Sequence, residues 1–206
     1  MAAVELSVAD AVVRARRLAE RGPRTLLGIT GPPGAGKSTL ASTLAAELGE
    51  RAVVIGMDGF HLAQAELVRL RRTDRKGAPD TFDDGGYVAL LRRLRSGTEP
   101  VVYAPLFRRD LEEPIAAAVA VVSSVPLVIT EGNYLLLWPD VADLLDEVWY
   151  LDLPDEERRR RLTARRMSFG VPDAEAQRWT DGSDEDNARV VAATKSRADV
   201  IVDVPR

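Results

Sequence analysis

The sequence predicts an α/β fold: a parallel β-sheet with helices on both faces. Two observations carry this. Short apolar runs without polar alternation, such as "RTLLGIT" (Arg24–Thr30), "AVVIGM" (Ala52–Met57), "PLVIT" (Pro126–Thr130) and "EVWYLDL" (Glu147–Leu153), read as strands buried on both sides. Between them lie segments of helical periodicity, bounded by Gly, Pro and polar residues, as the crossovers of a parallel sheet require.

Taken in order, Ser7 opens a capping-box-like start. Val8, Ala11, Val12, Ala15, Leu18 and Ala19 then keep helical spacing until Gly22-Pro23 stops the helix. After the strand Arg24–Thr30, Lys37–Leu48 is a helix ended by Gly49. Ala52–Met57 is the second strand and Leu62–Arg72 a helix. "TDRKGAPDTFDDGG", Thr73–Gly86, is rich in turn residues and reads as a loop; Tyr87–Arg95 is a helix ended near Gly97. "VVYAPLF" and "AVAVVSS" are two extended pieces separated by "RRDLEEPI". Beyond the strands at Pro126 and Glu147, Asp155–Met167 is an arginine-rich helix, Asp186–Thr194 the last helix and "DVIVDV" the last strand. No repeat, low-complexity tract or linker interrupts the chain, so one domain over residues 1–206 is expected.

Composition narrows the function classes. Of 206 residues, 46% are hydrophobic and 29% charged, an ordinary globular balance. A net charge of −4 and a pI of about 5.2 argue against nucleic acid as the main partner. The absence of cysteine excludes disulfides, thiolate metal sites and cysteine nucleophiles. No apolar run approaches a membrane span and the N-terminal residues lack a basic leader pattern, so a cytoplasmic protein without a membrane partner is expected.

"GPPGAGKS" is a full GxxxxGK[ST] match, set between an apolar strand and an amphipathic helix. Glycines let backbone N–H groups turn inward around phosphate, and the helix end adds its unpaired N–H groups and positive dipole. Gly31, Pro32, Pro33, Gly34, Ala35, Gly36, Lys37, Ser38 and Thr39 are therefore the expected nucleotide loop, with Lys37 on the outer phosphates and the Ser38 hydroxyl on magnesium. The motif implies a nucleoside triphosphate and leaves the reaction open.

"VVIGMDGFHL" ends a core strand in an acid and the chain's one histidine. Ligands of parallel sheets gather beyond the carboxyl ends of the strands, so Asp58 shares a rim with Lys37 and Ser38. There it can ligate magnesium, take a proton from an attacking hydroxyl, or simply cap the next helix. Gly59 allows a close approach of backbone or substrate; His61 is either a substrate contact or a packed first-turn residue. Glu131, ending "PLVITE", is a second strand-end acid, able to hold magnesium through a water or to face solvent.

From Leu26 to Val204 the chain resembles the phosphoribulokinase/uridine kinase family of P-loop kinases, which includes bacterial pantothenate kinases. "ITGPPGAGKST" matches that family's phosphate loop. "GMDGFH" falls where the family carries its catalytic acid, and "RKGAPDTFD" resembles "RKGFPESYD" and "HPDAFD" segments. "PVVYAP", "TEGNYLL" and "TKSRADVIV" complete six pieces in order, closest to a subgroup described only as nucleoside/nucleotide kinase-like.

The resemblance implies a P-loop kinase fold with an arginine-rich lid helix at about residues 155–180 and an acceptor-binding insert at about 73–115. It implies ATP and Mg2+ as cofactors and a small-molecule hydroxyl acceptor (nucleoside, pantothenate or sugar-like), and it admits a homodimer. Asp58 becomes the catalytic acid or base, Glu131 a metal residue, and Thr194 and Lys195 part of the adenine loop. Arg158, Arg161 and Arg165 fall on one helical face and match the lid arginines, Arg158 toward the nucleotide and Arg161 and Arg165 (or Arg166) toward the transferred phosphoryl group. Arg159 and Arg160 read as solvated, balanced by Asp155, Glu156 and Glu157. His61, Arg75, Lys76, Phe82, Tyr103 and Arg108 lie where the family binds its acceptor. The chain departs from uridine kinases after "VY": the family's His and Arg positions hold Arg108 and Asp110, which undermines a pyrimidine nucleoside as acceptor. Arg108 and Arg109 with Lys76 either receive an anionic acceptor or pair with Asp110, Glu112 and Glu113 on the surface. An ATPase or nucleotide-dependent regulator without a small acceptor is the alternative function.

Overall fold

The computed structural model describes residues 4–203. The first half runs β1 (Val4–Leu6), α1 (Val8–Leu18), β2 (Thr25–Thr30), α2 (Lys37–Leu48), β3 (Ala52–Gly56), α3 (Gln64–Leu70) and α4 (Asp84–Ser96). The second runs β4 (Val101–Arg108), β5 (Glu113–Val122), β6 (Leu127–Glu131), α5 (Pro139–Ala142), β7 (Glu147–Asp152), α6 (Asp155–Ser168), α7 (Asp173–Trp179), α8 (Glu185–Ala192) and β8 (Val200–Asp203). Six strands form one sheet in the order β1-β8-β7-β2-β6-β3, and every pairing is parallel.

Period-two alternation divides the core. Leu26, Val128, Val148 and Tyr150 face one layer, packed with Tyr87, Leu91 and Leu94 of α4 and with Val102 and Val121. Leu27, Ile29, Ile129, Trp149 and Leu151 face the other, packed with Ala11, Ala15 and Leu18 of α1 and Leu40, Ala41 and Leu44 of α2. Burial on both faces explains why the central strands carry no polar alternation.

The expected fold class stands, with α1 and α2 where their caps place them: Ser7 Oγ accepts from the Asp10 N–H, and Gly49 follows α2. Several details differ. β4 and β5 pair with each other, antiparallel, as a separate two-stranded sheet. Its register shifts between Ala104 and Leu106, at Pro105, which has no N–H to donate. α3 starts later than Leu62 because the Leu62 N–H is taken by the Thr81 carbonyl at 2.9 Å. α4 starts earlier, at Asp84, because the Asp83 side chain caps it by accepting from the Gly86 N–H at 2.8 Å. β1 and α7 have no counterpart in the sequence reading. Val204, the end of the expected last strand, lies outside the described residues.

Because all six strands run parallel, the loops after β2, β3, β6 and β7 open on one edge of the sheet. Ile29, Gly56 and Glu131 stand in register across β2, β6 and β3, which fixes the phosphate loop, the Asp58 turn and Glu131 side by side.

Candidate active site

The loop after β2 is built on left-handed backbone. Gly34 has φ +85°, and a Cβ there would lie 2.8 Å from the Arg158 carbonyl oxygen, so the loop presses directly against α6. Lys37 is buried at the start of α2, and its Nζ donates to the Gly31 and Pro32 carbonyls at 2.9 and 3.0 Å. Burial pulls this amine down to about 8, opposed by Glu131 and Asp58. The Ser38 hydroxyl acts on the Glu131 carboxyl, opposing the effect of its burial.

Asp58 follows β3 in a single 3-10 turn, Met57–Phe60. Met57 is fully buried and packs so tightly against Gly132 that a Cβ there would meet the Met57 Cβ at 2.5 Å. Gly59 likewise approaches backbone, since its Cβ would lie 2.7 Å from the Pro105 carbonyl oxygen. The close approach allowed by this glycine is therefore to the hairpin. These two contacts anchor the residues either side of Asp58. Asp58 does not cap α3, whose N-cap is Ala63. Its Oδ2 accepts from Arg109 Nη2 at 3.1 Å.

Glu131 is the second acid of the rim. Burial pushes its carboxyl well above the usual carboxylate range and Asp58 adds to this, while Lys37, Ser38 and Arg109 act against it. A part-buried carboxylate facing a second carboxylate and a hydroxyl is a hard-oxygen donor set that fits Mg2+. Among the described residues no three His, Cys, Asp or Glu side chains converge to hold a metal. Magnesium sites of this kind take one or two carboxylates and complete their shell with phosphate and water.

A cavity of about 600 Å³ opens from the phosphate loop. It joins Gly34, Lys37, Ser38, Asp58 and Glu131 to His61, Lys76, Phe82 and Arg165 from the sequence analysis. His61 is clamped between Phe82 and Phe107, with ring centroids at 4.1 and 4.8 Å. Its Nδ1 faces the Asp58 carbonyl oxygen at 2.8 Å, so Nδ1 carries the proton and Nε2 is left as an acceptor. Burial lowers its pKa, partly offset by Asp58, which favours this neutral imidazole. The residue 73–86 loop is held onto the turn by Asp83 N–H to the Phe60 carbonyl at 2.8 Å, and onto the segment after β6 by Tyr134 Oη to the Gly77 carbonyl at 2.6 Å.

Three expected acceptor residues do not line this cavity. Tyr103 is 56% exposed on the outer side of β4, Arg75 pairs with Asp80 at 2.7 Å, and Arg108 forms a fork with Asp110 at 2.8 and 2.6 Å. Arg109, one residue on, does line it, as do Phe107, Asn133, Arg166, Trp179, Asp184 and Asn187, none of which was singled out as an acceptor contact except Arg109 in its open alternative. The signal for Arg109 was present in "FRRD", but strand alternation cannot choose between two arginines at a turn.

On α6 the arginines divide. Arg158 is fully buried and binds Glu185 at 2.5 Å and Asp155 at 3.2 Å, leaving Nη1 without a partner. Arg161 pairs with Glu157 at 2.7 Å. Arg165 reaches the cavity; although part of its surface is accessible, desolvation holds its guanidinium below the usual arginine range, with Arg109 and Arg166 adding to this. Arg166 binds Asp184 at 2.8 Å and stacks on Trp179 at 5.2 Å. Arg159 and Arg160 are engaged by surface acids, as expected.

A second cleft, about 500 Å³, lies behind the loop between Pro32, Tyr150, Asp152 and Lys195. Lys195 Nζ binds Asp152 at 2.6 Å and lies 5.8 Å from the Tyr150 ring centroid. Thr194 is turned inward, its hydroxyl donating to the Val191 carbonyl at 2.7 Å.

A phosphate loop after the central strand, opening on an acid-lined cavity at the carboxyl edge of a parallel sheet, places the protein among the P-loop nucleotide-binding proteins. A family model described as an AAA domain (AAA_33) matches residues 26–185. A candidate uridine kinase of Schizosaccharomyces pombe, C227.14, is 33% identical over 204 residues, covering 92% of this chain and 87% of the relative. A pantothenate kinase of Rhodococcus opacus is 32% identical over 174 residues, which are 78% of this chain but 56% of that protein. The crystal structure of a candidate fructose transport system kinase from Silicibacter sp. TM1040 superposes with a TM-score of 0.84 at 36% identity, covering 97% of this chain and 100% of that one. The chain belongs to the P-loop kinase family this model describes, and it is related to the uridine kinase and pantothenate kinase group whose motifs it carries. No helix among the described residues is long and apolar enough to cross a membrane.

Proposed function

We propose that the protein is an ATP-dependent kinase that transfers the γ-phosphoryl group to a hydroxyl of a small molecule. The observation that carries this is the position of Asp58 on the wall of a cavity that also contains Lys37 and Ser38 of the phosphate loop. In this reading residues 31–39 cradle the triphosphate, and Lys37 leaves the Gly31 and Pro32 carbonyls for the outer phosphates. Ser38 and Glu131 are the residues that would hold magnesium, with Asp58 within reach of the same rim. Bound magnesium supplies charge neutralisation at the phosphate oxygens. Asp58 accepts the proton of the acceptor hydroxyl, and His61 Nε2 receives a second hydrogen bond from the acceptor. Arg161 and Arg165 neutralise the phosphoryl group from a lid formed by α6 and α7, and the cleft beside Lys195 takes the base. The whole chain acts as one kinase domain with its acceptor insert at about residues 73–115.

A cavity walled by the residue 76–82 loop and the β4–β5 hairpin is superfluous to a protein that only hydrolyses ATP. The test is ADP formation with ATP–Mg alone and with a panel of hydroxyl compounds. Acceptor-dependent ADP is expected, and Asp58→Ala should lower kcat by about 10²–10⁴ with ATP affinity nearly intact. Full turnover by Asp58→Ala, or equal hydrolysis with no acceptor, would sink this assignment.

A further inference from the structure

We propose that Arg109 selects the acceptor, and that the acceptor carries an anionic group, a carboxylate or phosphate, close to the hydroxyl that is phosphorylated. This rests on the kinase reading and adds a substrate class to it.

The end of β4 supplies two adjacent arginines and sends them to different places. Arg108 turns outward and forks onto Asp110. Arg109 turns into the cavity, although Asp110, Glu112 and Glu113 are all nearby in sequence. Surface charge balance alone would keep both outside. Inside, Arg109 and Lys76 flank one ring: the guanidinium carbon is 5.9 Å and the ammonium 5.3 Å from the Phe107 centroid. Phe107 in turn stacks on His61, three residues after Asp58. Arg109 is thus mounted on the wall where the acceptor must sit, beside Lys76, which is itself held by the Glu112 carbonyl at 2.7 Å and the Glu112 carboxylate at 3.5 Å.

The partner of Arg109 gives the argument its direction. One of its nitrogens donates to Asp58, and its side chain is 48% exposed. A guanidinium presents several donors in a planar fork, so this single bond leaves capacity for a carboxylate or phosphate. Arg165, also in the cavity, has no ion pair among the described residues, so one cation there is left without a salt bridge although Asp58, Glu112, Glu131 and Asp184 line the same space. A neutral acceptor would leave Arg109 with the base as its sole anionic partner; an anionic acceptor offers it a second. The same arginine then spans base and substrate. With a hydrogen bond at each end of this bridge, the hydroxyl and the anionic group lie within a distance on the order of 10 Å, which describes a small hydroxy acid or phosphorylated polyol.

The experiment compares matched acceptor pairs with ATP–Mg: glycerate with glycerol, gluconate with sorbitol, pantothenate with pantothenol, fructose 6-phosphate with fructose. Calorimetric binding of each anionic member to the ADP–Mg complex is measured in parallel. At least one anionic member should exceed its neutral partner in kcat/KM by tenfold or more, and which pair does so separates carboxylate from phosphate. Arg109→Gln should raise its KM and its Kd by about 10- to 100-fold, the size of a lost hydrogen bond to a charged group, with Arg109→Lys restoring part. Preference for neutral members, or anion binding indifferent to Arg109→Gln, overturns the proposal while leaving the kinase reading intact. Absence of anion binding across all four pairs also overturns it. Arg109-dependent anion binding without acceptor-dependent ADP would instead retain the anion site and refute the kinase reading.

Discussion

Arg158 tests whether α6 is held to α8 by charge or by packing. Its side chain is 0% exposed, and Glu185, its partner at 2.5 Å, is 12% exposed. Removing one member of a buried pair leaves the other charge uncompensated, at a cost of about 3–5 kcal/mol. Arg159 stands 3.3 Å from the same carboxylate and relieves part of this, so Arg158→Met should cost about 3 kcal/mol, the low end of that range. For a chain of this length that is a fall in Tm of roughly 6–12 °C. Glu185→Gln in the Arg158→Met background removes the stranded charge and should recover at least half of the loss. The pH dependence has a defined sign. Burial pushes Glu185 up, but its bond to Arg158 and the neighbouring arginines hold it below its unfolded value of 4.5. The pair's contribution is therefore present above about pH 4.5 and lost as pH falls through the lower folded value. Urea unfolding of the single variants and the double variant at neutral and acid pH gives the coupling energy. ATP affinity should change less than tenfold, because Arg158 lines neither cleft. A cost under about 1 kcal/mol, no recovery in the double variant, or a hundredfold loss of ATP affinity would refute this reasoning and return Arg158 to the nucleotide.

Other consequences follow from the same geometry. Gly59→Ala sets a methyl 2.7 Å from the Pro105 carbonyl oxygen and should cost about 1–3 kcal/mol in urea, whereas Gly22→Ala, with nothing within 4 Å, should cost far less. Glu131 is raised in the folded state, so nucleotide-free wild type should lose stability relative to Glu131→Gln as pH rises above about 4.5, and equal stability at pH 8 would contradict the burial of this carboxylate. Lys37 is held down to about 8, so ATP affinity should weaken as pH rises past that value and the charged form is lost; a flat profile to pH 9 would show the amine to be less desolvated than the fold implies.

The sheet was legible because buried parallel strands leave dense apolar runs, and the phosphate loop because so many of its positions are constrained at once. Asp58 was legible for a related reason: a carboxylate ending a core strand must face the ligand edge. The hairpin was not. "AAAVAVV" hides its alternation because alanine suits either face, and the register shift at Pro105 comes from the partner strand. Helical spacing put Arg158, Arg161 and Arg165 on one face but could not say how deep each would lie. α6 runs past Gly34 and α8, so the first is sealed against Glu185, the second keeps a partner on its own helix, and the third reaches the cavity. Arg109 was separable from Arg108 only by where the turn after β4 aims each side chain.

Most of the site cations rest on internal partners. Lys37 rests on the Gly31 and Pro32 carbonyls, Arg109 on Asp58, Lys76 on the Glu112 carbonyl at 2.7 Å and Arg166 on Asp184. Burying the Lys37 charge without partners would cost a large share of the net stability, which is only about 5–15 kcal/mol. In the proposed reaction binding exchanges partners: phosphates would displace carbonyls at Lys37, and the acceptor would compete for Arg109. The exchange contributes less affinity than the same contacts made from unpaired charges, because bonds are broken as others form. It contributes selectivity, because a ligand lacking the matching charge breaks the internal bond and replaces it with nothing. Arg109 is where this logic reaches catalysis, since its internal partner is the proposed base. In that proposal, a ligand that engages the guanidinium loosens its hold on the carboxylate assigned to receive the proton.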